Sequence, residues 1–317
     1  LSEGGFSVLQ PLIIIAGPTA TGKSCAAVSL AQKINGSVIS ADSMQVYRGM
    51  DIGSAKITEE EMHGVKHYLV DCIDPHEEWN VVRFRDEAAK AVLEIRSEGK
   101  IPIVCGGTGF YIQALLYDID FTETTKDDSF RDEMLEFART NGNEALHLKL
   151  AAIDPASADA IHPNNVKRVI RALEFAKTTG GSMISSHNAE QRERPAAYDS
   201  VYFVLNMDRN ELYERINSRV DKMFEEGLVE EVITLKGEGL TDNDVSMQGL
   251  GYKEILRALD GEYTIEEARE KIKEETRHFA KRQLTWFKRE KNITWIDVSG
   301  DVDPVGIMTS VVSQHFI

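Results

Sequence analysis

Cysteine is scarce in this chain. Three cysteines, Cys25, Cys72 and Cys105, occur in 317 residues. They are odd in number, far apart, and set in apolar or loop-to-helix surroundings. They lack both the C-x-x-C pairing of a zinc site and the density of a disulfide framework, so they read as buried or ordinary thiols. The C-terminal stretch WIDVSGDVDPVGIMTSVVSQHFI carries no cysteine and a lone histidine, His315, which excludes a zinc finger there. Long apolar runs are missing as well. Nothing approaches the roughly 20 residues that span a bilayer, and the opening LSEGGFSVLQ shows no secretory pattern and is assigned no role. The expectation is a cytoplasmic protein without a membrane partner. No internal repeat or low-complexity tract is visible.

Positive charge is the scarcer sign, with 36 Lys and Arg against 52 Asp and Glu and a net charge of −16. Such a balance excludes indiscriminate binding to nucleic acid but leaves room for local basic surfaces. Two segments depart from the average. One is HPNNVKRVIRALEFAK (162–177), with Lys167, Arg168, Arg171 and Lys177; the other is KRQLTWFKREK (281–291), with Lys281, Arg282, Lys288, Arg289 and Lys291. Each fits either a surface for a partner or a helix face paired with the many glutamates. A hydrophobic fraction of 42% and a charged fraction of 28% describe an ordinary globular chain, long enough for one large domain or two modest ones.

Directly after the apolar run LIII comes GPTATGKS, Gly17 to Ser24. Its spacing is that of the phosphate-binding loop, G-x-x-x-x-G-K-[ST], with a strand-like run before it and a helix-forming run, SCAAVSLAQKI, after it. In such a loop (here Gly17, Pro18, Thr19, Ala20, Thr21, Gly22, Lys23 and Ser24) backbone N–H groups point inward and meet the positive end of the helix dipole. Lys23 reaches the terminal phosphate, and the Ser24 hydroxyl ligates Mg²⁺. Kinases and ATP hydrolases use this loop, and so do enzymes that hydrolyse no nucleotide, so the loop alone does not choose. The plainer alternative is a glycine turn joining strand to helix.

Strand and helix patterns alternate through the first third: LIII, SVIS (37–40), HYLVDCI (67–73) and IPIVCGG (101–107) as strands, with the helix VVRFRDEAAKAVLEIRSEG before the last. Strands separated by helices imply a parallel sheet covered on both faces, with ligand residues at the carboxyl ends of the strands. From Phe121 to Tyr198 the pattern turns helical, in DSFRDEMLEFARTNG, EALHLKLAAID and NNVKRVIRALEFAKTTG. SVYFVLNM (200–207) then reads as a core strand, followed by long helices to about Glu290 and a last strand, ITWIDV (293–298). The expected fold is therefore α/β, a P-loop NTPase-like parallel sheet with helices on both faces and an inserted helical subdomain. Residues 1–122 and 199–317 would form the core and 123–198 the insertion.

Asp42 ends the second strand in SVISADSMQVYRGMDIGSAK, close to Ser43, Gln45, Tyr47 and Arg48. A carboxylate there serves as a general base, a Mg²⁺ ligand or the cap of a turn, and these readings stay open. The fourth strand ends in GGTGFYI (106–112), where glycines admit a ligand close to the backbone and Thr108 offers a hydroxyl.

Taken in order, GPTATGKS, ISADSMQVYRGMDIGSAK, VCGGTGFYIQALL, RVIRALE, MQGLGYKE and KRQLTWFK resemble the successive motifs of the bacterial tRNA dimethylallyltransferases, also called tRNA isopentenyltransferases or IPP transferases. The resemblance runs from Leu12 to about Trp295. It implies transfer of a dimethylallyl group from dimethylallyl diphosphate to N6 of the adenine just 3′ of the anticodon in tRNA. The loop would then hold the diphosphate leaving group, with Mg²⁺ on Ser24, Asp42 as base and Thr19 at the same centre. By the same resemblance the tRNA anticodon stem-loop is contacted by Asp42, Ser43, Met44, Gln45, Thr108, Arg131, Lys167, Arg168, Arg171, Gly249, Gly251, Tyr252, Lys281, Arg282, Gln283 and Trp286. The insertion would contribute to this surface, and the protein would act as a monomer. Trp286 or Phe287 would stack on a base or pack the helix. The eukaryotic branch carries a C-terminal zinc finger, which this chain lacks. Two alternatives share the loop: an adenylate isopentenyltransferase of the cytokinin type, and a small-molecule kinase. The helical insertion and KRQLTWFK weigh against both.

Overall fold

A computed structural model describes residues 9–119, 127–182 and 195–316. The strands are β1 (Gln10–Ala16), β2 (Gly36–Ser40), β3 (His67–Tyr68), β4 (Ile101–Gly106), β5 (Tyr198–Asn206) and β6 (Ile293–Asp297). The helices up to β5 are α1 (Lys23–Ile34), α2 (Glu59–Met62), α3 (Val81–Ser97), α4 (Gly109–Leu116), α5 (Asp128–Asn141), α6 (Asn143–Ile153), α7 (Pro155–Ala160) and α8 (Val166–Thr179). After β5 come α9 (Arg209–Glu225), α10 (Leu228–Gly237), α11 (Tyr252–Leu259), α12 (Ile265–Phe287) and, past β6, α13 (Pro304–Phe316). The chain divides into two compact units, Leu1–Asp118 with Ala196–Ile317, and Ile119–Pro195.

The first unit is built on a six-stranded sheet in the order β3-β2-β4-β1-β5-β6, with every pairing parallel. Parallel strands are covered on both faces and read as continuous apolar runs. β1 shows why: Leu12 to Ala16 are all fully buried. Because side chains alternate across a strand, Leu12, Ile14 and Ala16 pack in one cluster with Phe84, Val92 and Ile95 of α3. Ile13 and Ile15 pack in the other with Ala27 and Leu30 of α1 and Met308 and Val312 of α13. Local chemistry sets the helix starts. Asn80 Oδ1 accepts from the N–H groups of Val82 and Arg83, both at 3.0 Å, ahead of α3. Thr264 and Glu267 form a reciprocal capping box ahead of α12.

Two expectations change. The third strand is far shorter than HYLVDCI, because Leu69 (φ 61°) and Asp71 (φ 55°) take left-handed backbone conformations that end the ladder. Its far end returns only as an isolated bridge, Tyr47 to Ile73. The chain also closes with a helix, α13, where the sequence suggested no element; its apolar residues gain a partner only from α1 and the sheet.

The second unit, in its described residues, is helical and contains no strand. α5, α6 and α8 enclose Met134, Leu146, Leu150, Val169, Ile170 and Leu173. α7 was not foreseen. Pro155 opens it and Asp154 caps it by accepting from the Ser157 N–H at 3.1 Å. Glu174 of α8 is a fully buried carboxylate. It accepts from Arg131 at 2.9 and 2.7 Å, from Arg171 at 3.0 Å and from the Asp127 N–H at 2.9 Å. Burial pushes its carboxyl up, but the bonds from Arg131 and Asp127 outweigh this and hold it below the usual glutamate range.

Removing one partner of a buried ion pair leaves the other uncompensated. Glu174→Ala should therefore destabilise the protein by about 3 kcal/mol in urea unfolding followed by circular dichroism. With a depressed folded pKa, the Glu174 contribution is complete above the ordinary glutamate value and is lost as pH falls through the folded one. The gap between the parent and the variant should accordingly close in acid.

Candidate active site

The carboxyl ends of β1, β2 and β4 meet in the first unit and build a cavity of about 490 Å³. The loop after β1 supplies its floor. Gly17 has φ 145°, and a Cβ there would strike the carbonyl oxygen of Leu205, so no side chain fits. The Thr21 hydroxyl donates to the Pro18 carbonyl at 2.8 Å and braces the loop from within. Lys23 Nζ donates to the same carbonyl at 2.6 Å. Burial pushes the Lys23 ammonium down to about 8, and nearby Arg219 pushes in the same direction. Ser24 is exposed at the start of α1 and lines the cavity.

Asp42 follows β2. Its Oδ1 accepts from the Met44 N–H at 2.8 Å and the Gln45 N–H at 3.3 Å, the turn-capping use of an aspartate. Oδ2 has no hydrogen bond among the described residues, so the carboxylate of this cavity-lining residue both caps the turn and retains a free acceptor. The β4 end approaches so closely that a Cβ on Gly106 would meet the Ala41 backbone, and the Thr108 N–H donates to the Ala41 carbonyl at 3.2 Å. This contact places Thr108 beside Asp42. Its hydroxyl does not cap α4.

Two further groups come from distant helices. Arg219 of α9 donates from Nη1 to Thr19 Oγ1 at 3.3 Å. Burial pushes its guanidinium down, while the Asp42 charge pulls it back up. Gln283 of α12 is buried; its Oε1 accepts from the Thr19 N–H at 2.9 Å and its Nε2 donates to the Gly107 carbonyl at 3.0 Å. One side-chain amide thus clamps the loop after β1 to the end of β4. Trp79, Ile216, Val220, Met223 and Phe279 add apolar side chains to the lining. Two cations, a carboxylate and these apolar side chains lining one cavity suit a ligand that joins an anion to a small hydrocarbon.

This arrangement coincides with the family comparisons. A family model described as IPP transferase matches residues 45–290, and one described as isopentenyl transferase matches residues 10–76. The chain is 57% identical to a tRNA dimethylallyltransferase of Lachnoclostridium phytofermentans over 96% of this chain and 97% of that one. It belongs to the IPP transferase family. It is also 48% identical to the tRNA dimethylallyltransferase of Bacillus subtilis, with 93% of each chain covered. Among solved structures it resembles the tRNA isopentenylpyrophosphate transferase of Bacillus halodurans, with a TM-score of 0.72, 45% identity and 96% of both chains covered. A eukaryotic dimethylallyltransferase acting on tRNA gives a TM-score of 0.79 at 31% identity, over 97% of this chain and 79% of that one.

Within this IPP transferase fold the residues expected from sequence separate into groups. Thr19, Lys23, Ser24, Asp42, Ser43, Met44, Gln45, Thr108, Gly249, Arg282 and Gln283 all line the cavity. Gln283 does so as a clamp between two backbone segments, and its polar atoms face inward. Tyr252 is fully buried and donates its hydroxyl to Glu231 at 2.7 Å. Gly251 caps α11, its N–H donating to Glu254 at 2.8 Å. These two support the site from behind. Glu231, which no motif marked, also accepts from the N–H groups of Asp51, Ile52 and Gly53 at 2.8–3.0 Å. It thereby fixes the loop whose Ala55 carbonyl receives Gln45 Nε2 at 3.0 Å.

The basic clusters divide likewise. Arg131 and Arg171 pair with Glu174, and Lys177 with Asp127. Lys167 and Arg168 in the second unit, and Lys281, Arg282, Lys288 and Arg289 in the first, are exposed and form no ion pair among the described residues. Arg219 escaped sequence reasoning because it lies in RINSRVDKMFEE, a plain helical segment, 200 residues from the threonine it touches.

Two outcomes follow from this geometry. An anion binds the protonated Lys23, so affinity for inorganic diphosphate should hold below pH 8 and fall above it, at most about tenfold per pH unit; calorimetry from pH 7 to 9.5 reads this, and Lys23→Met should be weak and flat. Gln283→Leu removes both clamping bonds while keeping the volume, and should lower kcat about tenfold through a misplaced Thr19, with a lower melting temperature because the Thr19 N–H and the Gly107 carbonyl lose their partner.

Proposed function

We propose that this chain transfers a dimethylallyl group from dimethylallyl diphosphate to N6 of the adenine immediately 3′ of the anticodon in tRNA, releasing diphosphate. The observation that carries this reading is the cavity itself, in which Lys23, Arg219, the Asp42 carboxylate and a group of apolar side chains line one space. Identity of 48–57% to proteins named tRNA dimethylallyltransferase supports it.

The chemistry follows from where charge moves. As the C1–O bond of the allylic diphosphate breaks and the N6–C1 bond forms, negative charge grows on the bridging oxygen. Fixed donors at that oxygen stabilise the transition state more than the ground state. Lys23 and Arg219 are such donors. Thr19 accepts from Arg219 through Oγ1, which leaves its own proton free to donate onward. Adenine N6 is a weak nucleophile because its lone pair is delocalised into the ring. Asp42 takes the N6 proton as the new bond forms, using the oxygen that the turn leaves uncapped. The apolar wall of Trp79, Ile216 and Val220 receives the dimethylallyl group and keeps water from the developing allylic cation.

The donor set fits Mg²⁺. A divalent ion bound with the diphosphate would take ligands from phosphate and water as well as from the protein. Ser24, which lines the cavity, would offer its hydroxyl to the ion, and the ion would neutralise charge on the leaving diphosphate. The adenine must leave its stack to enter the cavity, at a cost of a few kcal/mol recovered from contacts around it. Exposed Lys281, Arg282, Lys288 and Arg289 on one segment, and Lys167 and Arg168 on another, form no ion pair among the described residues and are suited to RNA phosphates.

A transfer assay tests this. With Mg²⁺ and radiolabelled dimethylallyl diphosphate, label should enter unmodified tRNA and not AMP, and should vanish when the adenine after the anticodon is replaced. Label in AMP would move the chain to the adenylate branch, and phosphorylation of a small acceptor from ATP would indicate a kinase. Asp42→Asn should retain tRNA binding while turnover drops by a factor on the order of 10²–10⁴.

A further inference from the structure

In the proposed reaction Asp42 meets only the amino group of the adenine, and the base edge offers more than that. One buried side chain beside Asp42 is short of a partner. Tyr111, in the first turn of α4, is 7% exposed and lines the same cavity as Asp42. Its ring stacks on that of Phe84 in α3, with centroids 4.6 Å apart and planes at 18°, and Phe84 is itself fully buried. The stack fixes the direction of the phenol. The start of α4 is tied to the end of β2 as well, because the Thr108 N–H donates to the carbonyl of Ala41, the residue before Asp42.

The Tyr111 hydroxyl forms no hydrogen bond among the described residues, yet it keeps accessible surface. The Tyr47 hydroxyl, by contrast, is sealed from solvent. A polar group left unpaired at such depth is costly, and folded proteins leave few of them without a use. Burial first, and then Tyr47 and the Asp42 charge, push the phenol up from the ordinary tyrosine range, so it keeps its proton and acts as a donor. Asp42 Oδ2 is an acceptor, and no hydrogen bond joins it to Tyr111. A ligand with a donor next to an acceptor along one edge satisfies both. Adenine has that pattern, since its amino group is flanked by the ring acceptors N1 and N7. Guanine puts the acceptor O6 in place of the amino group, and a carboxylate repels it.

We propose that the Tyr111 hydroxyl is a specificity group for the reacting base: it donates to a ring nitrogen, N1 or N7, beside the amino group whose proton Asp42 takes. This rests on the reading of the chain as an adenine prenyltransferase. The bond turns N6 toward the donor carbon and, with Asp42, reads a donor beside an acceptor.

A cycle between protein and base tests this. Parent and Tyr111→Phe, which keeps the ring and its stack on Phe84, are assayed for prenyl transfer to anticodon stem-loop RNAs with adenine, 1-deazaadenine or 7-deazaadenine at the target position. RNA affinity in the presence of inorganic diphosphate is measured alongside, so the comparison holds for a base that reacts slowly. With adenine, Tyr111→Phe should lower kcat/KM for RNA about tenfold, the size of one neutral hydrogen bond. KM for the prenyl donor and affinity for inorganic diphosphate should stay as in the parent, and the melting temperature should not fall. With one deaza RNA the parent and Tyr111→Phe should become equal, which names the nitrogen; with the other the gap should remain. Equal activity of the two proteins on adenine RNA overturns the proposal, and so does a gap that persists on both deaza RNAs. Weakened binding of inorganic diphosphate in Tyr111→Phe overturns it too, because the hydroxyl would then serve the leaving group. A parent inactive on adenine RNA overturns the proposed function and this subsite with it, whereas the other adverse results, with an active parent, strike the subsite alone.

Discussion

Two cations, Lys23 and Arg219, share one largely buried site, where burial pushes both down and the Arg219 charge pushes the Lys23 ammonium further. Such a pair persists only where the backbone beneath it cannot relax. Here the backbone is held by close approaches: the loop at Gly17 lies against Leu205 of β5, the end of β4 at Gly106 lies against Ala41, and Gln283 ties the loop to Gly107. The apolar centre of the parallel sheet supplies the stiffness behind these contacts, because every strand that ends at the site is buried on both faces. Catalytic power in this arrangement is stored as preorganised charge, and the sheet is what keeps it in place.

The site is also braced from a second layer that carries no chemistry of its own. Glu231 gathers three successive backbone N–H groups and the Tyr252 hydroxyl, and so sets the loop that orients Gln45. Asp42 shows the same economy within one side chain, with one oxygen tying down the turn and the other available to a substrate. In the helical unit, Glu174 draws Arg131 and Arg171 inward, while Lys167 and Arg168 on the same helical stretch stay in solvent. Runs of basic residues are thus functionally mixed, and burial of a single glutamate decides which members remain available.

Much of the fold was legible because its signals are local. The apolar runs of β1, β4 and β5, the glycine spacing of the loop and the helical period of α3 and α8 each lie within a short window of sequence. The third strand was overestimated because its apolar residues continue past the point where Leu69 and Asp71 turn left-handed. α13 was missed because PVGIMTSVVSQHF has little patterning of its own and is stabilised by α1 and the sheet. Arg219 and Glu231 were invisible for a related reason: an arginine or glutamate on an amphipathic helix looks the same whether it meets water or a partner 178–200 residues away.

The sequence by itself determined the α/β class, the phosphate loop, the candidate base and, through the order of its motifs, the family. These depend on residue type and spacing along the chain, which folding does not alter. Only the tertiary structure decided that Gln283 and Tyr252 face inward, that Arg219 joins Lys23, and that Trp286 with Phe110, and not Phe287, meets solvent. Each of those outcomes is a matter of which surface of a helix is covered, and that is settled by packing between segments that lie far apart in sequence.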